Sequence, residues 1–248
     1  MTQKASVTAA VLVIGDEILS GRTRDANSGY IADYLAKIGI DLCEMRVVGD
    51  IEGEIVAAVN ALRQRYDYVF TTGGIGPTHD DITADAVAAA FGVPISEDPR
   101  AIKLLLERMK PAELNEARRR MARIPQGAEL VENDISKAPG FWIGNVIVMA
   151  GVPAIMQSML DRVAPKLATG AKVVARTIEA GAMFEGTYAA GLGEVAAKNP
   201  ELSIGSYPSF HDGGFHNQIV VRGKDAAKVA AAAEAIEALL SRLVNVRV

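Results

Sequence analysis

Three times in its first ninety residues the chain runs an apolar, β-rich stretch into a turn and then into an amphipathic helix. The apolar runs cover residues 9–14, 40–48 and 68–71, and they stop at Gly15-Asp16-Glu17, at Gly49-Asp50 and at a loop holding Gly73, Gly74 and Gly76. Tyr30, Ile31, Tyr34, Leu35 and Ile38 share one face of the first helix, with Asn27 as its expected cap and Gly39 as its stop. Ile51, Ile55, Val59 and Leu62 line the second, and the third spans residues 82–91. Strands that alternate with helices in this way build βαβ units, so the expected fold is α/β, three-layered, with a mostly parallel sheet between helices. In such sheets ligands lie beyond the carboxyl ends of the strands. The sequence sets Asp16 and Glu17, Asp50, and the loop 73–81 at three such ends.

The third of these turns carries the most chemistry. Tyr68-Val69-Phe70-Thr71 feeds a glycine loop, after which Asp80 and Asp81 open an Ala/Val-rich helix ending at Phe91-Gly92. A strand, a glycine loop and a helix N-terminus together make an anion site, because glycine lets backbone N–H groups come close and the helix adds unpaired donors and its positive dipole end. Carboxylates at that place would repel a bare phosphate, which points to a divalent cation joining phosphate oxygens to one or two aspartates. The plain alternative is that Gly-Gly and Gly-Pro are turn residues and that Asp80 or Asp81 caps the helix. For Asp50, at the mouth of the second helix, the N-cap is the favoured reading of the residues alone.

The remainder reads as scaffold. With 248 residues, half of them apolar, the chain can bury a sizeable core, as one large domain or a large and a small one. A net charge of −4 argues against nucleic acid as partner. The single Cys43 fits a reducing cytoplasm, and neither a signal peptide nor an apolar run of membrane-spanning length is expected. Residues 99–121 read as helical with a break at Lys110-Pro111, followed by Arg118-Arg119-Arg120, a solvated face or a phosphate contact. Pro125-Gln126-Gly127 ends that helix, and residues 128–131 read as a strand. Gly144-Asn145 between Phe141-Trp142-Ile143 and Val146-Ile147-Val148 signals a hairpin. Met156, Met159, Leu160 and Val163 read as core. Near Ala168-Thr169-Gly170 the chain changes domain, giving units 1–169 and 170–248. The second unit scans as β (172–178), α (186–198), β (202–206), β (217–222), α (224–243), a small α+β domain. Its order is that of KH-type RNA-binding domains, but the Gly-x-x-Gly loop between helices is missing. Asp212-Gly213-Gly214 lies in a turn between strands instead. His79, His211 and His216 have no zinc-site spacing; the last two read as loop residues, and His79 stands where it would assist proton transfer.

Three blocks carry a family resemblance: Gly15-Asp16-Glu17-Ile18-Leu19-Ser20-Gly21 with Asn27, Val48-Gly49-Asp50, and Thr72-Gly73-Gly74-Ile75-Gly76-Pro77-Thr78-His79-Asp80-Asp81-Ile82-Thr83. The chain resembles the MoaB/Mog superfamily of molybdopterin-binding domains, and within it the N-terminal part of the competence/damage-inducible CinA proteins. Ala138-Pro139-Gly140-Phe141 and Met149-Ala150-Gly151-Val152-Pro153 match further loops, so the resemblance covers roughly residues 7–168. Residues 171–248 look like the smaller domain that follows in CinA-type proteins. No counterpart of the amidohydrolase domain of longer members is read here, so nicotinamide-mononucleotide deamidation is not implied.

The resemblance implies that Gly73, Gly74, Gly76, Thr78 and Gly151 line a pyrophosphate or pterin-phosphate site. It implies that Asp50 and Asp81 serve metal binding and catalysis, with Asp16 and Asp80 as supporting carboxylates and Asp80 a further metal ligand. The cofactor would be Mg²⁺ or another divalent ion such as Mn²⁺ or Co²⁺, and a homo-oligomer, dimer or trimer, is implied. Two chemistries occur in the family: transfer of AMP to molybdopterin, and metal-dependent cleavage of diphosphates such as ADP-ribose or FAD. The CinA-like tail favours cleavage, while a module that binds pterin or nucleotide without turnover is the third reading. Many CinA proteins have Pro-Gly-Pro-Pro where this chain has Ala150-Gly151-Val152-Pro153, which leaves substrate identity open.

Overall fold

The computed structural model describes residues 6–211 and 214–245. The chain divides into two compact units, Met1–Gly170 and Ala171–Val248. The first is built on β1 (Thr8–Ile14), whose side chains are buried without a break from Ala9 onward, as a strand covered on both faces requires. A single turn, α1 (Asp16–Leu19), follows, then α2 (Asn27–Ile38), β2 (Asp41–Val48), α3 (Glu52–Arg65), β3 (Tyr68–Thr72) and α4 (Thr83–Phe91). An excursion comes next: β4 (Ile95–Glu97), α5 (Pro99–Leu106), a 3-10 turn at Pro111–Glu113, α6 (Glu116–Arg120) and β5 (Arg123–Pro125). Then β6 (Glu129–Val131), β7 (Gly140–Ile143), β8 (Val146–Met149) and α7 (Pro153–Val163) complete the unit.

Six strands form one sheet in the order β2-β1-β3-β8-β7-β6. Five of these strands run in one direction and β7 runs against them, so the sheet is mostly parallel, as its βαβ pattern requires. Ile55, Val59 and Leu62 of α3 and Ala86 and Val87 of α4 pack on one face with Leu12, Ile14 and Val148. Ile31 and Leu35 of α2 and Met156, Met159 and Leu160 of α7 pack on the other with Val11, Val13 and Ile147. Burying each such side chain contributes about 1.5–3 kcal/mol, and this holds the strand ends in place.

The second unit consists of β9 (Val174–Gly181), α8 (Glu185–Lys198), β10 (Ser203–His211), β11 (Gly214–Gly223) and α9 (Ala226–Asn245). Its antiparallel sheet has the order β10-β11-β9, with a core of Ile178, Tyr188, Ile219, Val221, Val229 and Ile236. His211 and His216 belong to strands and not to a loop, because β10 and β11 extend into a longer hairpin than their apolar centres suggest. The expected turn at Asp212-Gly213 lies outside the described residues. Two other local readings change. Asn27 does not cap α2; the Asp25 Oδ1 accepts the N–H groups of Asn27 and Ser28 instead. Residues 95–97 and 123–125 pair as an antiparallel ribbon, a feature too short to show any period. Among the described residues no helix is long and apolar enough to cross a membrane.

Candidate active site

β1, β2 and β3 end side by side, and backbone bonds tie the turn after β1 to β2 and the turn after β3 to β8. The Gly15 N–H donates to the Val48 carbonyl (3.1 Å), and the Gly73 N–H donates to the Met149 carbonyl (3.2 Å). Gly73, at φ +102°, lies so close to β1 that a Cβ there would stand 2.1 Å from the Ile14 carbonyl oxygen. A side chain is excluded on both counts: the left-handed backbone and the space. Thr83, the first residue of α4, fastens the loop from behind. Its N–H donates to the Gly74 carbonyl (3.0 Å) and its hydroxyl to the Gly73 carbonyl (3.0 Å). These bonds use the loop's carbonyls and leave the amides at residues 74–76 outside them, which is what an anion cradle needs.

Asp16 and Asp50 hold each other across two of the three turns. The Asp16 N–H donates to Asp50 Oδ2 (3.0 Å), and the Asp50 N–H donates to Asp16 Oδ1 (3.3 Å). Asp50 is therefore not the N-cap of α3, whose end has no side-chain cap. Gly49 makes the pairing possible, since a Cβ there would lie 2.5 Å from Asp16 Oδ1. Each carboxylate keeps one oxygen out of this exchange. Burial raises the Asp50 pKa above the usual carboxylate range, and the charges of Asp16, Glu17 and Asp80 raise it further, against the lowering effect of the Asp16 N–H. The corner is thus a concentration of negative charge.

Asp80 and Asp81 have different roles. Neither caps α4. The Asp81 Oδ2 accepts both the Thr78 N–H (2.8 Å) and the Thr78 hydroxyl (2.5 Å), closing the loop on itself. Gly76 provides the room, because a Cβ there would meet the same oxygen at 2.6 Å. Asp80 is exposed, and its charge is the one from this loop that Asp50 feels. His79 is exposed, 4.0 Å from the Asp80 carboxylate. Of the arginine triplet, Arg119 pairs with Glu97 at the surface, and the Arg118 guanidinium donates to the Glu113 carbonyl. Arg120 reaches the back of the loop and donates to the Asp81 carbonyl (3.3 Å).

Gly151 packs on Gly73, where a Cβ would be 3.3 Å from the Gly73 Cα. Asn27 ties that loop down, its Nδ2 donating to the Gly151 carbonyl (2.7 Å). Between them lies a cleft of about 70 Å³ lined by Glu17, Asp25, Asn27, Thr72, Gly73 and Gly151. Asn27 Oδ1 and Thr72 Oγ1 are buried there without a protein partner, an arrangement that costs about 1–3 kcal/mol per atom unless a ligand or water satisfies it. Asp81 lines a separate crevice on the far side of the loop, with Gly74, Gly76 and Arg120. Sequence reasoning named Gly49 and Thr83 only within the family blocks and Arg120 only within the basic triplet, and it gave none of them the partner it has here.

Among the described residues no three or more His, Cys, Asp or Glu side chains are grouped to hold a metal ion by themselves. Magnesium does not need such a cage; one or two carboxylates suffice when phosphate oxygens and water complete the shell. Asp16 and Asp50, with one spare oxygen each, fit that demand.

A mostly parallel sheet with a glycine loop and a carboxylate pair at its strand ends defines an α/β protein of the doubly wound kind. Residues 10–169 match the family described as a probable molybdopterin binding domain, and the chain belongs to that family. Residues 172–248 match the FAD synthase middle domain. A CinA-like protein of Desulfosudis oleivorans is 38% identical over 170 residues, covering 65% of this chain and 41% of that protein. A probable FAD synthase of Caenorhabditis briggsae is 29% identical over an alignment of 266 positions, covering 94% of this chain and 49% of its own length. The chain thus spans less than half the length of either relative. Among solved structures, CinA of Thermoplasma acidophilum, of unknown function, superposes with a TM-score of 0.62 at 32% identity, over 66% of this chain and 99% of that one.

Proposed function

We propose that this chain is a divalent-cation-dependent pyrophosphatase that cleaves the diphosphate of a nucleotide such as ADP-ribose or FAD. The observation that supports the reading is the Asp16–Asp50 clasp, two carboxylates with one oxygen each outside their mutual bonds, in turns next to the glycine loop. The tail's match to the FAD synthase middle domain supports a dinucleotide substrate. Asp16 and Asp50 would hold the cation, which when bound neutralises the diphosphate and eases departure of the leaving phosphate. The amides of the loop orient the phosphates, with Thr83 keeping their carbonyls turned away. Asp81 and Thr78 fix the loop's shape. Asn27 Oδ1 and Thr72 Oγ1 present acceptors to the organic part of the substrate.

A second reading, adenylyl transfer to molybdopterin, is favoured by the family match over residues 10–169. Both readings use the same clasp on a diphosphate and differ in what attacks it. Incubating purified protein with ADP-ribose or FAD, with and without Mg²⁺, Mn²⁺ or Co²⁺, decides between them. Cation-dependent release of AMP is expected. No release, together with adenylation of molybdopterin from ATP, would establish the second reading; saturable binding without either product would leave a binding module.

A further inference from the structure

The strap between α1 and α2, residues 20–26, carries two exposed arginines, Arg22 and Arg24. Its backbone is held on both sides of Arg24. The Thr23 N–H donates to the Glu17 carbonyl (3.0 Å), and Asp25 Oδ1 accepts the N–H groups of Asn27 and Ser28 at the start of α2. Arg24 lines the cleft of about 70 Å³ that Thr72, Gly73 and Gly151 close from the other side, whereas Arg22 does not. Two acids share the cleft with Arg24, and both are committed elsewhere. Asp25 serves the start of α2, and the Glu17 carboxylate lies over Gly15, where a Cβ would stand 2.5 Å from its Oε2. Arg24 has no hydrogen-bonding or ionic partner among the described residues. A guanidinium on a fixed backbone at a cleft wall, left unpaired by the acids beside it, is suited to an anion that comes from outside. The depth of the cleft calls for different chemistry, because Asn27 Oδ1 is buried there without a partner and an amide oxygen can only accept.

We propose that Arg24 binds a phosphate of the ligand directly, while Asn27 Oδ1 accepts from a hydroxyl or amino group of its organic end. Arg24 is then the residue that separates a phosphorylated ligand from its dephosphorylated form. This rests on the reading of the cleft as a site for a phosphorylated, nucleotide-like molecule, and it adds a contact that does not pass through a cation. The guanidinium presents two parallel N–H groups to two phosphate oxygens, where a lysine would present a point charge. Because Thr23 and Asp25 fix the backbone, less freedom is lost when the side chain closes on the phosphate.

The test is calorimetric titration of the full chain with ADP-ribose, at saturating Mg²⁺ and again in EDTA, with adenosine as the uncharged probe. Arg24→Ala should weaken ADP-ribose binding about 10- to 100-fold in both conditions and leave adenosine titrations the same as those of the wild type. Arg24→Lys should fall between the two, because it keeps the charge and loses the fork. Arg22→Ala removes the same charge from the same strap, and it should change ADP-ribose binding by less than about 2-fold at physiological salt. All three variants should melt with the wild type. Equal ADP-ribose binding by Arg24→Ala and the wild type overturns the proposal. So does an equal loss in Arg22→Ala, which would show a general field and not a contact, or a wild type that binds ADP-ribose in neither condition. The Asp16–Asp50 reading is tested separately, by the difference that Mg²⁺ makes to the wild type.

Discussion

Two pairs of aspartates stand in turns beyond the strand ends of one sheet, and they are used in opposite ways. Asp16 and Asp50 come from turns 34 residues apart and grip each other's backbone, so each keeps an oxygen for a ligand. Asp80 and Asp81 are adjacent in sequence, but Asp81 puts one oxygen into two bonds to Thr78 while Asp80 stands in solvent. The difference shows that closeness in sequence does not make a paired site. A carboxylate becomes available when the backbone that carries it is held by something else. Asp16 and Asp50 are held by the sheet, through Gly15 and Val48. Asp81 spends its own side chain on holding the loop.

The most disruptive way to break this arrangement is to remove the support common to both pairs. Gly73→Ala forces a Cβ against the Ile14 carbonyl at a left-handed φ, and it should cost about 3–5 kcal/mol, lowering the melting temperature of the unit by roughly 10 °C. Calorimetry checks this, and AMP release should disappear with it. Next comes Asp50→Asn, which keeps an acceptor for the Asp16 N–H but weakens the hold on a cation. Cation-dependent turnover should fall about 100-fold with the circular dichroism spectrum unchanged. Asp81→Asn sharpens the contrast. If Asp81 serves the loop, that variant and Thr78→Val each lose about 5-fold, and the double variant loses little more than either alone. A loss equal to that of Asp50→Asn would instead make Asp81 a ligand.

The smallest effect is on stability against pH. Because the folded-state pKa of Asp50 is raised, the native state binds the proton more tightly than the unfolded chain. Stability from this group is present at acid pH and is lost as pH rises from the ordinary aspartate range through the raised folded value. Asp50→Asn should remove that loss and leave the protein more stable than wild type at pH 7, by less than about 1 kcal/mol. Denaturant titrations at pH 4 and pH 7 would show it; an Asp50→Asn variant less stable than wild type at pH 7 would contradict the crowding of charge at this corner.

Much of this was legible in the sequence, for a physical reason. β1 to β3 and α2 to α4 each repeat an apolar period long enough to declare itself, and Gly144-Asn145 sits between two apolar runs that can only pair. Gly73 and Gly74 announced a special backbone. What escaped was whatever depends on a partner far along the chain. The β4–β5 ribbon joins three-residue segments about 28 positions apart, too short for a period. Asp50 read as a cap because its own helix begins next to it, yet its carboxylate bonds to the turn after β1. Asn27 likewise read as a cap, while its amide reaches Gly151, 124 positions away. The names of the residues were right; their partners were set by the sheet.

A cation that joins a diphosphate to Asp16 and Asp50, as we propose, is tested most directly by calorimetric titration of ADP-ribose at increasing Mg²⁺. The clasp predicts that Mg²⁺ tightens binding to the wild type and has no effect on binding to Asp50→Asn. Equal dependence on Mg²⁺ in both proteins would contradict it.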